Sequence, residues 1–116
     1  MEAACRGAAS GGGTTIGLLP GSDRSEANDH VQVAIPTGMG EMRNMLVVRA
    51  ADAVIAISGE FGTLSEVAFA LRIGKPVVGL GTWELSKGGR VSDAIEAVDS
   101  PEQAVDRALA LARANP

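Results

Sequence analysis

The run Ser58-Gly59-Glu60-Phe61-Gly62-Thr63, with Glu66 three positions beyond it, is where residue types and spacing could do chemistry. Glycines let a backbone approach an anion with no Cβ in the way. A turn that feeds a helix also presents free backbone N–H groups and the positive end of the helix dipole. The ligand such a turn suits is a phosphate, with Gly59, Glu60, Phe61, Gly62 and Thr63 as its binding residues. Two roles are open to Glu66 at the start of that helix. It can hydrogen-bond ribose hydroxyls or stabilise positive charge at an anomeric carbon, or it can close a Thr63-x-x-Glu66 capping box. A tight strand-to-helix connection explains the two glycines equally well. The chain holds neither a full dinucleotide fingerprint nor a Walker loop, since Gly74-Lys75 is followed by Pro76.

The elements that must position this turn are legible on either side of it. Ala53 to Ile57 is a short continuous apolar run, expected of a parallel strand covered on both faces. From Thr63, Leu64, Val67, Ala68 and Leu71 recur at helical spacing and form a stripe that can lie on a sheet. Gly74 ends that helix and Pro76 opens the strand PVVGL, so Ala53 to Leu80 reads as one βαβ unit. Parallel sheets place ligands beyond the carboxyl ends of their strands, which is where Ser58 to Thr63 falls.

Upstream, Met1 to Ser10 reads as an amphipathic helix closed by Gly11, with Met1, Ala4, Cys5 and Ala8 on one face. Thr14 to Leu19 is a buried strand leading into the loop Pro20-Gly21-Ser22-Asp23. Val31 to Ile35 is a second strand, ending at Pro36-Thr37-Gly38. Gly21, Ser22 and Gly38 thereby join the candidate ligand loops. Glu41 to Ala51 is a helix with Met42, Met45, Leu46 and Arg49 on one side and Arg43 near its N-terminal end. Downstream, Thr82 to Val91 reads as a loop around Trp83, Ile95 to Val98 as a last edge strand, and Ser100-Pro101-Glu102-Gln103 as a capping box opening a helix to Ala112.

Gly59-x-x-Gly62-Thr63-x-x-Glu66, taken with Arg43 in EMRNMLVVRAADA, resembles the LOG-like (lysine-decarboxylase-like, SLOG) Rossmann family. That family's signature is Pro-Gly-Gly-x-Gly-Thr-x-x-Glu, preceded by an arginine-bearing helix. GLLPGSDRSEAN, AIPTGMGEMRN and GKPVVGLGTW look like the branch that includes molybdenum-cofactor carrier proteins. The resemblance implies an α/β, Rossmann-like three-layer fold with a parallel sheet, a homodimer, and the molybdenum cofactor as a candidate cargo. It also implies a catalytic pair, since Arg43 and Glu66 match the residues that engage the nucleotide in LOG-type phosphoribohydrolases. Ser58 stands where the family has proline, and Glu60 where it has its second glycine. Relatives carry a strand, a helix, a strand and a glycine-rich turn upstream of Met1, so the chain reads as a single, N-terminally truncated domain. On the Rossmann order, two missing strands would lie between those at Thr15 and Val31.

Composition bounds the alternatives. At 116 residues, 46% hydrophobic and 21% charged, the chain is ordinary for a globular domain. Two Phe, one Trp and no Tyr leave few platforms for base stacking, and a net charge of −4 disfavours a broad nucleic-acid footprint. The lone Cys5 forms no internal disulfide, and no Cys/His cluster has metal-ligand spacing. With no signal peptide and no apolar run long enough to span a bilayer, the expectation is a cytoplasmic protein without membrane contact. His30 reads as a loop residue, and Ser22 and Ser58 lack the glycines of a nucleophile elbow. The readings are binding of a nucleotide or molybdopterin-type cofactor, hydrolysis of a nucleoside 5′-monophosphate, and a structural protein with a degenerate pocket.

Overall fold

In a computed structural model, residues 1–114 are described, and they fall into two compact units, Met1–Leu46 and the chain from Val47 onward. The first unit opens with helix α1 (Glu2–Ser10) and holds strands β1 (Ile16–Leu19) and β2 (Val33–Pro36). Helix α2 (Arg43–Ala50) follows a short 3-10 turn at Gly40–Met42, and the unit boundary falls inside it. The second unit contains β3 (Val54–Ile57), α3 (Phe61–Arg72), β4 (Val77–Leu80), β5 (Ser86–Lys87), β6 (Arg90–Val91), β7 (Ile95–Val98) and α4 (Pro101–Ala114).

In the first unit β1 and β2 pair directly and in parallel, Ile16 opposite Val33 through Leu19 opposite Pro36. This corrects the expectation of two strands between them. Both strands are shorter than their apolar runs, and the buried residue at their head is Thr15, 6% exposed. Its hydroxyl donates to the His30 carbonyl (2.6 Å) and accepts from the Gln32 amide (2.8 Å), so a polar side chain is buried with its hydrogen bonds made. Ile16 is 62% exposed, so β1 is not the fully buried strand expected of TTIGLL. Helix α1 ends at Gly11 as expected but buries none of its residues.

The second unit is a parallel sheet of order β3-β4-β7 with a helix on each face. Alternation sorts the residues of β4: Val77 packs with Val67 and Ala70 of α3, while Val78 packs with Ala104 and Ala108 of α4. Val48 of α2 joins the α3 side. The central strand β4 is the one buried on both faces. Expected to be covered on both sides, β3 instead lies at the edge, with Ala56 buried but Ile55 and Ile57 exposed at 37% and 55%. The apolar side of α3 also turns relative to expectation: Ala70 is buried and Ala68 is exposed. Met42, in the 3-10 turn ahead of α2, and Leu46 of α2 are exposed and Val48 is the residue that packs, so the side carrying Met42, Met45, Leu46 and Arg49 is not the inner one.

The ends of the helices follow their local chemistry. After α3, Gly74 at φ 82 permits a Schellman closure, with the Lys75 amide donating to Ala70 (2.9 Å) and that of Gly74 to Leu71 (3.2 Å). The cap of α4 forms with one half of the expected box: Gln103 N donates to Ser100 Oγ (3.1 Å), whereas Gln103 Oε1 accepts from the amide of Asp99 (2.8 Å), one residue ahead of Ser100. The stretch expected to be a loop between Thr82 and Val91 contains an antiparallel hairpin, β5-β6, turned by Gly88 and Gly89, both at positive φ. Among the described residues no helix is long and apolar enough to cross a membrane.

Candidate functional site

The turn from β3 to α3 is held by the exit of β4. Ser58 N donates to the Leu80 carbonyl (3.1 Å), and Ser58 O accepts from Thr82 Oγ1 (2.6 Å). Clamped on both sides, Ser58 adopts φ 51, the one non-glycine residue at positive φ among those described. Such a conformation costs on the order of 1 to 3 kcal/mol and persists where the surroundings over-determine it. Gly59 follows at φ 92, and a Cβ there would overlap Thr63 Oγ1 and Cβ. Two successive left-handed residues turn the chain from strand to helix, and the missing Cβ lets the Thr63 side chain fold back over the turn.

Helix α3 starts earlier than the sequence suggests. Its N-cap is Glu60, whose carbonyl accepts the first intrahelical bond from Leu64 (3.1 Å). Thr63 is therefore inside the first turn and not at the cap, and Glu66 lies in the second turn. This corrects the Thr63-x-x-Glu66 capping box. Thr63 and Glu66, three residues apart, still share a face. The exposed Glu60 side chain makes no capping hydrogen bond. The amides of Phe61, Gly62 and Thr63 thus have no intrahelical carbonyl and no side-chain cap from Glu60. Gly62 is helical, and open space lies where its Cβ would be.

Trp83 closes this end of the second unit. Its indole N–H donates to the Glu60 carbonyl (3.0 Å), and its ring lies 5.6 Å from that of Phe61. Trp83 also lines a hollow of about 360 Å³ alongside β4 and β7, together with Gly79, Thr82, Glu84, Val91 and Ala97. Sequence reasoning left Trp83 and this hollow inside a loop. The signal that could have found them is the Gly88-Gly89 pair, a hairpin turn that folds the segment back.

In the first unit the loops after β1 and β2 are stitched together. Gly38 N donates to Gly21 O (2.9 Å), Gly40 N to Pro20 O (2.9 Å), and Thr37 Oγ1 to Leu19 O (2.6 Å). Gly21 and Gly38 are thus brought together as expected, whereas Ser22 is exposed. A Cβ on Gly21 would overlap the Glu26 carboxylate, a neighbour the sequence did not single out. Arg43, the first residue of α2, donates from Nη1 to the Leu18 carbonyl at 2.9 Å, while its buried Nε has no hydrogen-bond partner. Arg43 belongs to the first unit; Gly59 to Thr63 and Glu66 belong to the second. Among the described residues no group of His, Cys, Asp and Glu could hold a metal ion.

A model of the SLOG cluster4 family matches residues 1–109. An uncharacterised protein from Archaeoglobus fulgidus is 39% identical over 106 residues, which cover 91% of this chain and 66% of that protein. The chain thus spans just under two thirds of that relative's length. Two of the solved structures that it resembles are described as molybdenum-cofactor proteins. One, the molybdenum cofactor binding protein from the phototrophic bacterium Rippkaea orientalis, has a TM-score of 0.79 and 34% identity, over 96% of this chain and 70% of its own. The other, the molybdenum cofactor carrier protein from Chlamydomonas reinhardtii, has a TM-score of 0.68 and 32% identity, over 92% of this chain and 68% of its own. The fold is accordingly α/β and Rossmann-like, a parallel core carrying a small antiparallel hairpin.

Proposed function

This chain belongs to the SLOG cluster4 family, and from that premise we propose that it binds a phosphorylated small molecule, a nucleotide or the molybdenum cofactor, with the phosphate at the N-terminus of α3. The observation that carries the reading is Gly62. Glycine inside a helix costs up to about 1 kcal/mol relative to alanine. Gly62 has neither a positive φ nor a close neighbour to require it. What the missing side chain does is leave the first-turn amides open to an anion, at the positive end of the helix dipole. The relatives from Rippkaea and Chlamydomonas, described as binding or carrying the molybdenum cofactor, support a ligand with a phosphate.

In this reading Gly59, Glu60, Phe61, Gly62 and Thr63 form the phosphate turn, and Gly21, Ser22 and Gly38 belong to ligand loops of the first unit. Arg43 offers a guanidinium, a group suited to a phosphate or a carboxylate. A second reading, hydrolysis of a nucleoside 5′-monophosphate to a free base, draws on the placement of Glu66 on the same helix face as Thr63. There Glu66 would stabilise an oxocarbenium-like transition state.

The test is a panel of nucleoside 5′-monophosphates and molybdopterin, with thermal shift and base release both recorded. Binding without release, weakened by Gly62→Leu, is the expected result. Release that Glu66→Gln abolishes supports the hydrolase instead. Neither binding nor release in the wild type removes both readings.

A further inference from the structure

We infer that Thr82 and Trp83 are positioning residues of the turn ahead of α3: by holding two of its carbonyls they keep its amides turned outward, so the connection from β4 to β5 governs how tightly that turn binds an anion. The inference rests on the proposed phosphate reading and adds to it what regulates the strength of binding. Ser58 at φ 51 is in a conformation that its side chain disfavours, and Gly59 at φ 92 is free to adopt either hand. Neither residue holds the turn in shape by its own preference. The hold comes from two consecutive residues of another segment, Thr82 and Trp83, which reach alternate carbonyls of the turn.

Peptide geometry makes each of these contacts decide the direction of an amide. In a planar trans unit, the C=O and the N–H that follows it point in opposite directions. Thr82 Oγ1 donates to Ser58 O at 2.6 Å, which faces the Gly59 N–H away from Thr82. Trp83 Nε1 donates to Glu60 O at 3.0 Å, which faces the Phe61 N–H away from Trp83. Neither amide donates to a protein acceptor among the described residues. A flip of either peptide would put a carbonyl oxygen where an anion requires a donor, exchanging attraction for repulsion. Trp83 is itself seated against the Phe61 ring, 5.6 Å away, and the Glu60 carbonyl also accepts from Leu64 N (3.1 Å). A displacement of Thr82 and Trp83 therefore reaches the first turn of α3 directly, through two hydrogen bonds.

The experiment measures binding of inorganic phosphate by calorimetry to the whole chain and to Thr82→Val, Thr82→Ser, Trp83→Phe and Ser100→Ala, well below the melting temperature of each. Thr82→Val keeps the shape and loses the donor, Thr82→Ser keeps the donor, and Trp83→Phe keeps a ring beside Phe61 without the N–H. Thr82→Val and Trp83→Phe should each bind phosphate about fivefold more weakly, the contribution of one ordinary hydrogen bond, and Thr82→Ser should bind as the wild type does. Ser100→Ala removes the cap of α4, at a comparable cost in stability, and should leave the affinity unchanged. In the wild type, phosphate should slow the exchange of the Trp83 indole N–H with solvent, because a bond that favours the ligand is favoured by it in return. Undiminished binding by either Thr82→Val or Trp83→Phe, or binding by Thr82→Ser as weak as that of Thr82→Val, overturns the positioning role and leaves the phosphate reading in place. An equal loss in Ser100→Ala does the same, since the effect would then follow stability alone. No phosphate binding by the wild type removes the phosphate reading and the positioning role together.

Discussion

Glu60 occupies the N-cap of α3 and leaves it uncapped, so replacing it should move stability and anion binding by separable amounts. In Glu60→Ser the new hydroxyl oxygen can accept from the Gly62 or Thr63 amide, since the Glu60 backbone (φ −109, ψ −147) is already non-helical. A cap of that kind contributes about 1 kcal/mol. For a domain of this size that raises Tm by about 4 to 8 °C. The same hydrogen bond removes one amide from the anion site, which should weaken phosphate binding about fivefold. Removing the carboxylate acts the other way. At about 6 Å from a bound phosphate, and with the dielectric of water because Glu60 is exposed, the repulsion is about 0.7 kcal/mol, or about threefold in affinity. Glu60→Gln isolates this charge effect, so it should bind phosphate about threefold more tightly at low salt and lose the gain as salt rises. The serine variant should then bind about fivefold more weakly than the glutamine variant while melting higher. Calorimetry at two salt concentrations and thermal melts of the three proteins measure all of this. Equal phosphate affinity of the serine and glutamine variants would show that the first-turn amides are not the anion site.

Three further outcomes are expected. Gly74→Ala forces a Cβ onto the left-handed residue of the Schellman closure (φ 82) and should lower stability by about 1 to 2 kcal/mol in urea unfolding, with no effect on ligand binding. Gly79→Ala places a methyl 2.7 Å from Thr82 Cγ2 and 2.8 Å from Ile95 Cγ2, so unfolding should show a loss of about 1 to 3 kcal/mol, together with altered Trp83 emission. The Arg107 guanidinium binds the Glu96 carboxylate through two hydrogen bonds and holds its pKa below the ordinary value. A depressed folded-state pKa contributes stability that is present above the unfolded-state pKa and lost as pH falls through the folded-state one. The Tm gap between wild type and Glu96→Gln should therefore be small near neutrality, both side chains being largely exposed, and should vanish on acidification below the carboxylate range.

The βαβ unit was legible because its later boundaries are written in residues with a strong local preference, Gly74 for the left-handed closure and Pro76 for the strand start, and the start of α4 was legible in the same way from Ser100 and Gln103. The recognition of the family rested on the spacing of Gly59, Gly62, Thr63 and Glu66, which survives the shift of the helix start to Phe61. Burial was read less well. A continuous apolar run such as Val54–Ile57 does not reveal whether its strand is central or at an edge, and that depends on pairings far along the chain, here β4 with β7. The same limit explains α2 and the turn before it, where Met42 and Leu46 fit the helical period yet Val48 makes the contact. Trp83 was missed as part of a site because its role depends on a carbonyl, that of Glu60, which no side-chain pattern announces. That of Arg43 toward the Leu18 carbonyl is of the same kind.

All of the buried apolar residues among those described lie at or beyond Val48, whereas the chain from Met1 to Leu46 buries only Thr15. Resistance to opening is therefore unevenly distributed. In β3, β4, α3 and α4, amide exchange with solvent deuterium must wait for disruption of the packed layers around Val67, Val77 and Val78, and should report the largest free energies in the molecule. In α1, which contributes nothing to a core, amides can exchange by local fraying at little cost. The loops that carry Gly21, Ser22, Gly38 and Arg43 thus sit on the segment most readily remodelled, while the turn from Ser58 to Thr63 sits on the segment least so. Deuterium uptake should therefore separate the two units, fastest in the first 46 residues and slowest around Val67, Val77 and Val78.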